Sequence, residues 1–238
     1  MDNKDPWEQP KKWLDSITAD HKILAGEEST SVEGDKVACV ILDIATRFLK
    51  AYPAKEKTAK ETKKAMQTFC GQGRPKRVYT DNSGENIAAL EDLGWPHDTS
   101  QPHRPQTNGM AERAVRLVKE GTSCCLEQSG LSEAWWNFAM KYFCFAHNVQ
   151  DTVCGGRTPY DVRDFRKKFD STKLIPFGAA VRYTPIAPQE KRRIHQFKGK
   201  TLPGIFSHYN TKQGGEWDGT VSIIDQEALE TCDHVSEV

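Results

Sequence analysis

Apolar positions along this chain change period several times, and each change predicts an element. The stretch Trp13–Leu24 alternates apolar and polar residues, as a half-buried strand does. Lys36–Ala45 contains the near-continuous apolar run VACVILDIA of a buried strand, and Phe48–Ala54 reads as a third. The turns between them are short, so the three predict an antiparallel meander. The period then becomes helical. Thr58-Ala-Lys-Glu61 is a capping box, because the threonine can accept from the helix's free N–H groups, and it opens a helix to about Cys70. Arg77–Thr80 is a short strand running into Asp81, followed by a helix to Leu93 stopped by Gly94 and a brief strand at Pro96–Thr99. Ser100–Gly109 is rich in Pro, Asn, Gln and Gly and predicts a loop; a long helix runs from there to about Gln128.

Ser132 is placed to cap a further helix, Glu133–Asn148, which is apolar nearly all round and therefore buried. Thr158–Lys168 predicts a last, polar helix. Beyond Pro176 the pieces FGAAVRYTP, PGIFSHYN and GTVSIID are short and strand-like, predicting a small β-rich module. The expected organisation is an α/β domain over residues 13–168, with a mixed sheet of five strands flanked by helices, and the β-rich module over residues 174–230.

Composition narrows the class only a little. The chain has 238 residues, 37% hydrophobic and 28% charged, with a formal net charge of zero that argues weakly against nucleic-acid binding. Charge distribution matters more, since basic residues cluster in places. The seven cysteines are odd in number and lack a framework spacing, so free thiols in the nucleus or cytoplasm are expected. The longest strongly apolar run, Val37–Leu42, is far too short to span a membrane.

The candidate chemistry is acidic. Asp81 ends a predicted strand in YTDNSGEN, and Glu112 stands near the start of the long helix in NGMAERAVRL, 31 positions later. Hard divalent cations want oxygen ligands, and metal-assisted phosphoryl transfer usually needs three clustered carboxylates. The third comes from a neighbouring strand: Asp20 in SITADHKI, or Asp43 in ILDIATRF. Taken singly, each acid is more often a solvated surface group.

The motifs TADHKI, VYTDNSGEN and RPQTNGMAER, in this order, resemble the catalytic core of retroviral and long-terminal-repeat retrotransposon integrases, over roughly Trp13 to Asp164. ILDIATRFLKAYPAK resembles that family's second and third strands, and TPYDVRDF and LIPFGAAVRY its segments after the core. The resemblance implies an RNase H-like fold, in agreement with the strand order above. It implies catalytic and metal-binding roles for Asp20, Asp81 and Glu112, with two Mg²⁺ or Mn²⁺ ions, Asp20 bridging both. It implies processing of DNA 3′ ends and strand transfer, double-stranded DNA as partner (element ends and target), and a homo-oligomer. Two departures stand out: Ser83 intervenes where the family reads Asp-Asn-Gly, and the Asp81-to-Glu112 interval is a few residues short. Only twelve residues precede Trp13, too few for the family's His-His-Cys-Cys zinc module.

DNA contacts are expected from Asn82, from Gln106 and Asn108 in the loop, and from Arg113, Arg116 and Lys119 on the long helix. Glu112, Arg116 and Lys119 share one helical face, while Ala111, Ala114, Val115, Val118 and Cys125 line another suited to packing on the sheet. Lys191, Arg192 and Arg193 form a basic cluster at the door of the β-rich module. Cys124, Cys125, Cys144, His147 and Cys154 match no zinc spacing and are expected on core helices, where cysteine behaves as a small hydrophobe. The alternatives are an inactive domesticated fragment that binds nucleic acid, and an RNase H-like nuclease.

Overall fold

The computed structural model describes residues 10–231 apart from Ala25, 27–28, 100–108, Cys154, Ala187, 195–196 and Lys198. Three strands come first: β1 (Ile17–Ile23), β2 (Val37–Asp43) and β3 (Leu49–Ala54). They pair antiparallel in sequence order, as the alternating pattern predicts. Every residue of β2 is buried, which is why its sequence shows a run rather than an alternation. Helix α1 (Ala59–Cys70) follows, and Thr58 Oγ1 accepts from the Glu61 N–H at 3.2 Å. Its buried side chains Thr62, Ala65, Met66, Phe69 and Cys70 fall on one stripe.

Next come β4 (Val78–Thr80), α2 (Gly84–Leu93) and β5 (His97–Thr99), closing a five-stranded sheet in the order β3-β2-β1-β4-β5. β4 runs parallel to both β1 and β5. Gly94 ends α2 in the left-handed conformation (φ 61°), where a side chain would be strained. Helix α3 (Gly109–Ser129) packs on β1 and β2 through Ala111, Ala114, Val118, Thr122 and Leu126. Val115 and Cys125, expected on this face, are only half-buried at its margin. A 3₁₀ turn over Glu133–Trp135 leads into α4 (Trp136–Gln150), without a side-chain cap from Ser132. Buried Asn148 of α4 bonds both the N–H (2.9 Å) and the carbonyl (2.7 Å) of Leu49, satisfying backbone groups on the sheet's edge strand.

The polar helix expected over Thr158–Lys168 shrinks to one turn, α5 (Pro159–Val162). Asp164 adopts φ 49° and ends it, Tyr160 is buried, and the Tyr160 hydroxyl donates to the Lys167 carbonyl at 3.0 Å. Tertiary burial of the aromatics overrides local propensity here. After β6 (Ala180–Tyr183) and a short α6 (Pro188–Lys191), β7 (Leu202–Thr211) and β8 (Trp217–Asp225) complete a three-stranded antiparallel sheet, followed by α7 (Gln226–Thr231). β7 packs on α4: Tyr209 stacks on Phe145 at 4.6 Å between ring centroids, and Phe206 meets Tyr142 edge-on at 6.1 Å. These rings belong to the same apolar cluster as the interior of the larger sheet.

Candidate active site

The register of the central strands brings two acids together. β1 and β4 pair in parallel through Ala19 and Thr80, and the next position on each is an aspartate, Asp20 and Asp81. Partners on adjacent strands lie about 4.8 Å apart and project to the same face. Asp20 is also the partner of Val40, so it shares the face on which α3 lies. On this face Leu42 and Leu49 meet Met110 and Ala114 around a cavity of about 370 Å³.

Asp43, the alternative first ligand, goes elsewhere. It lies three residues along β2 from Val40 and so turns to the opposite face. It is fully buried, and its oxygens accept from the Leu14 N–H (2.9 Å), the Thr46 N–H (2.8 Å) and the Thr46 hydroxyl (2.7 Å). Those bonds tie the chain before β1 to the β2–β3 turn, a structural task.

The acids feel one another. Burial raises the pKa of Asp20, and repulsion from Asp81 and Glu112 raises it further, against the His21 N–H bond and the charge of Lys57. Burial works in the same sense on Asp81, but hydrogen bonds from Asn86 and Ser83 and the charge of Lys57 outweigh it and leave Asp81 below its ordinary value. The strongest of these is Asn86 Nδ2 to Asp81 Oδ1 at 2.7 Å, made by a side chain wholly inside the protein. Glu112, in the first turn of α3, is exposed. Among the described residues no three His, Cys, Asp or Glu side chains converge closely enough to hold a metal ion.

Two participants were not visible in the sequence. Lys57 reaches Glu85 at 3.5 Å and sits beside the acid pair, and its only local signal is its place before the cap of α1. Asn86 follows Asp81 by five positions, which puts it one turn into α2, facing back.

The residues expected to contact DNA divide into groups. Asn82, Arg113, Arg116 and Lys119 are exposed, and Arg113 Nε returns to the Gly109 carbonyl at 2.7 Å. Lys191 and Arg192 are exposed. Arg193 forms a fork on Asp225 with both contacts at 3.1 Å, and also bonds Glu227. Gln106 and Asn108 lie outside the described residues. The described cysteines are free thiols; burial pushes Cys144 up to about 12, as for a core residue, whereas Cys124, expected in the core, is exposed on α3.

The chain matches no protein-family model. It is 27% identical over 191 residues to the retrovirus-related Pol polyprotein of transposon RE2 from Arabidopsis thaliana, covering 77% of this chain and 13% of the polyprotein. It is 28% identical over 219 residues to that of transposon TNT 1-94 from Nicotiana tabacum, covering 86% and 16%. The Gag-Pol polyprotein of feline leukemia virus is 30% identical over 111 residues, 43% of this chain and 6% of the polyprotein. The chain is similar to part of the Pol polyproteins of retrotransposons and retroviruses. It spans only a small part of the length of these relatives. Among solved structures, the catalytic core domain of BIV integrase aligns with 63% of this chain and 93% of its own, at 18% identity and a TM-score of 0.47. The sequence-based expectation of a mixed five-stranded sheet with flanking helices and a small β-rich module agrees with the two sheets observed.

Proposed function

We propose that this chain is a metal-dependent polynucleotidyl transferase of the integrase type, acting on double-stranded DNA through Asp20, Asp81 and Glu112. The reading is carried by the placement of Asp20, in the middle of β1, beside Asp81, which directly follows the parallel strand β4, with Glu112 near enough to raise Asp20. The donor set fits a hard divalent cation, since all three are carboxylates whose mutual repulsion a cation relieves. When bound, Mg²⁺ or Mn²⁺ supplies charge neutralisation at a phosphodiester and at the attacking and leaving oxygens. Asp20, Asp81 and Glu112 would hold it.

The remaining roles belong to the chain itself. Asn86 fixes the Asp81 carboxylate in one orientation. Lys57 suits a contact to the phosphate next to the acid pair. Arg116 and Lys119, exposed on the face of Glu112, suit the backbone further along the DNA. In end processing, water forms a bond to phosphorus and the 3′-oxygen leaves as a hydroxyl. In strand transfer, that hydroxyl forms the new bond to a target phosphorus and expels the target's own 3′-oxygen. No protein nucleophile takes part, and catalysis rests on positioning and charge. Two element ends joined to one target favour a homo-oligomer.

A chain that binds DNA without cutting it is the second reading, favoured by the absence of a converged acid trio among the described residues. The two separate in an end-trimming assay with a labelled duplex and Mn²⁺. The proposal expects a shortened 3′ strand that disappears with Asp81→Asn. Binding without trimming under any divalent metal would favour the second reading.

A further inference from the structure

Another concave site lies behind the sheet, on the face opposite the acid pair. Val37 and Cys39, whose side chains alternate with Val40, form part of its wall. The cavity measures about 340 Å³ and opens between the edge strand β3, helix α1 and strand β7. Its charged lining is four lysines, Lys50, Lys64, Lys141 and Lys212, against two glutamates, Glu56 and Glu61. The remaining walls include Tyr52, Tyr209 and His208.

The lysines are incompletely matched. Lys50 is half-buried on β3, and its Nζ donates to the Thr211 hydroxyl at 2.9 Å, a partner without charge. Lys141 reaches Glu33 at 3.5 Å and lies 4.9 Å over the Phe138 ring. Lys212 approaches Glu216 at 3.9 Å. The crowding is felt inside the cavity. Burial pulls Lys50 down to about 8, with Lys141 adding to the effect. Burial together with Lys141 and Lys50 holds the His208 imidazole down to about 3, so it is neutral at physiological pH. His208 also stacks on Phe138 at 5.5 Å and pairs its Nδ1 with the Ser207 hydroxyl at 2.9 Å, which fixes the ring.

A concave site lined by four lysines, in which Lys50 is held by a hydroxyl rather than a carboxylate, and by aromatic walls is complementary to a multivalent anion. We propose that this cavity binds a phosphate-bearing anion of nucleotide size, its phosphate oxygens held by Lys50 and Lys141. Lys64 and Lys212, both exposed, stand at the rim where they draw such an anion in. Tyr52 and Tyr209 belong to the same lining, an apolar complement to an organic moiety beside the phosphate. The phosphate has two possible sources, a free nucleotide or a DNA strand, and the chemistry at the lysines is the same for both.

The test is calorimetric titration of the full chain with pyrophosphate, a nucleoside triphosphate and a short DNA duplex. It compares wild type, Lys50→Gln, Lys141→Gln and Lys173→Gln, the last an exposed side chain paired with Asp170 and not part of the cavity lining. Both cavity variants are expected to weaken binding of pyrophosphate at least tenfold, while Lys173→Gln leaves it unchanged. Lysine-dependent binding of the triphosphate assigns a free nucleotide; lysine-dependent binding of the duplex alone assigns the DNA backbone, and either supports the site. NMR titration of His208 in the wild-type chain adds a readout independent of any variant's folding, with its pKa rising when pyrophosphate is present. Affinities unchanged in Lys141→Gln, with the His208 titration unmoved by pyrophosphate, would overturn the proposal.

Discussion

Two aspartates on neighbouring strands of one sheet have opposite fates, and the difference is one of parity. Asp20 projects toward α3 and keeps partial exposure; Asp43 projects the other way and is consumed by hydrogen bonds from Leu14 and Thr46. Sequence alone leaves both open, because one residue of register decides the face. Removing the Asp43 carboxylate strands at least two buried N–H groups, each costing roughly 1–3 kcal/mol. At about 2–4 °C per kcal/mol for a chain of this size, Asp43→Ala is therefore expected to lower the thermal midpoint by roughly 4–24 °C. Differential scanning calorimetry measures this directly. His208 gives a pH prediction. Its folded pKa of about 3 lies below the ordinary 6.5, so the unfolded chain takes up the proton first as pH falls. The stability tied to neutral His208 is complete above about pH 6.5 and declines toward pH 3, by at most about 1.4 kcal/mol per unit. Urea titrations across pH 4–7 in phosphate-free buffer are expected to show that slope in the wild type and a flatter one in His208→Gln.

At the scale of elements, the periods in the sequence map closely onto the structure wherever one face is buried. The three strands and α1 are legible because alternation, the apolar run and the Thr58 cap all agree. The one-turn α5 is not, because Tyr160 is held by contacts with β8 and the segment before it: Trp217 donates its N–H to the Tyr160 hydroxyl from 57 positions away. The same limit applies to Arg193. A cluster of basic residues is easy to see in the chain, whereas pairing with Asp225 and Glu227 depends on a hairpin that closes far downstream. The helix that presents Glu112 also depends on a close crossing. A Cβ on Gly121 of α3 would lie 2.0 Å from the Phe143 ring of α4. Gly121→Ala gains up to about 1 kcal/mol of helix propensity but forces this packing apart at a cost of roughly 1–3 kcal/mol. Net destabilisation by chemical denaturation is expected, accompanied by reduced trimming activity per folded molecule, since α3 must shift relative to β1.

For the whole molecule, the small sheet and the large one are joined through α4. Phe145 touches Tyr160, Phe169 and Tyr209, drawing the segment after the core and β7 into one aromatic cluster. Arg163 extends this link, with its guanidinium 3.2 Å over the Trp13 ring and a 2.8 Å bond to the Gly214 carbonyl in the β7–β8 turn. The division at residues 168–174 read from sequence texture remains a proposal about chain organisation, and the packing favours mechanical coupling across it. The acid pair on one face and the lysine-lined cavity on the other are separated by the sheet itself, so their ligands need not compete. The claim on which the functional reading rests is that Asp20, Asp81 and Glu112 act as one catalytic unit. It is tested most directly by joining an element-end duplex to plasmid DNA with Mn²⁺, using wild type, Asp20→Asn, Asp81→Asn, Glu112→Gln and Asp43→Asn. The account predicts joined product from wild type and from the folded fraction of Asp43→Asn, and at least a hundredfold loss in each of the other three. Joining that survives Asp20→Asn or Glu112→Gln, or that is lost only in folded Asp43→Asn, would contradict it.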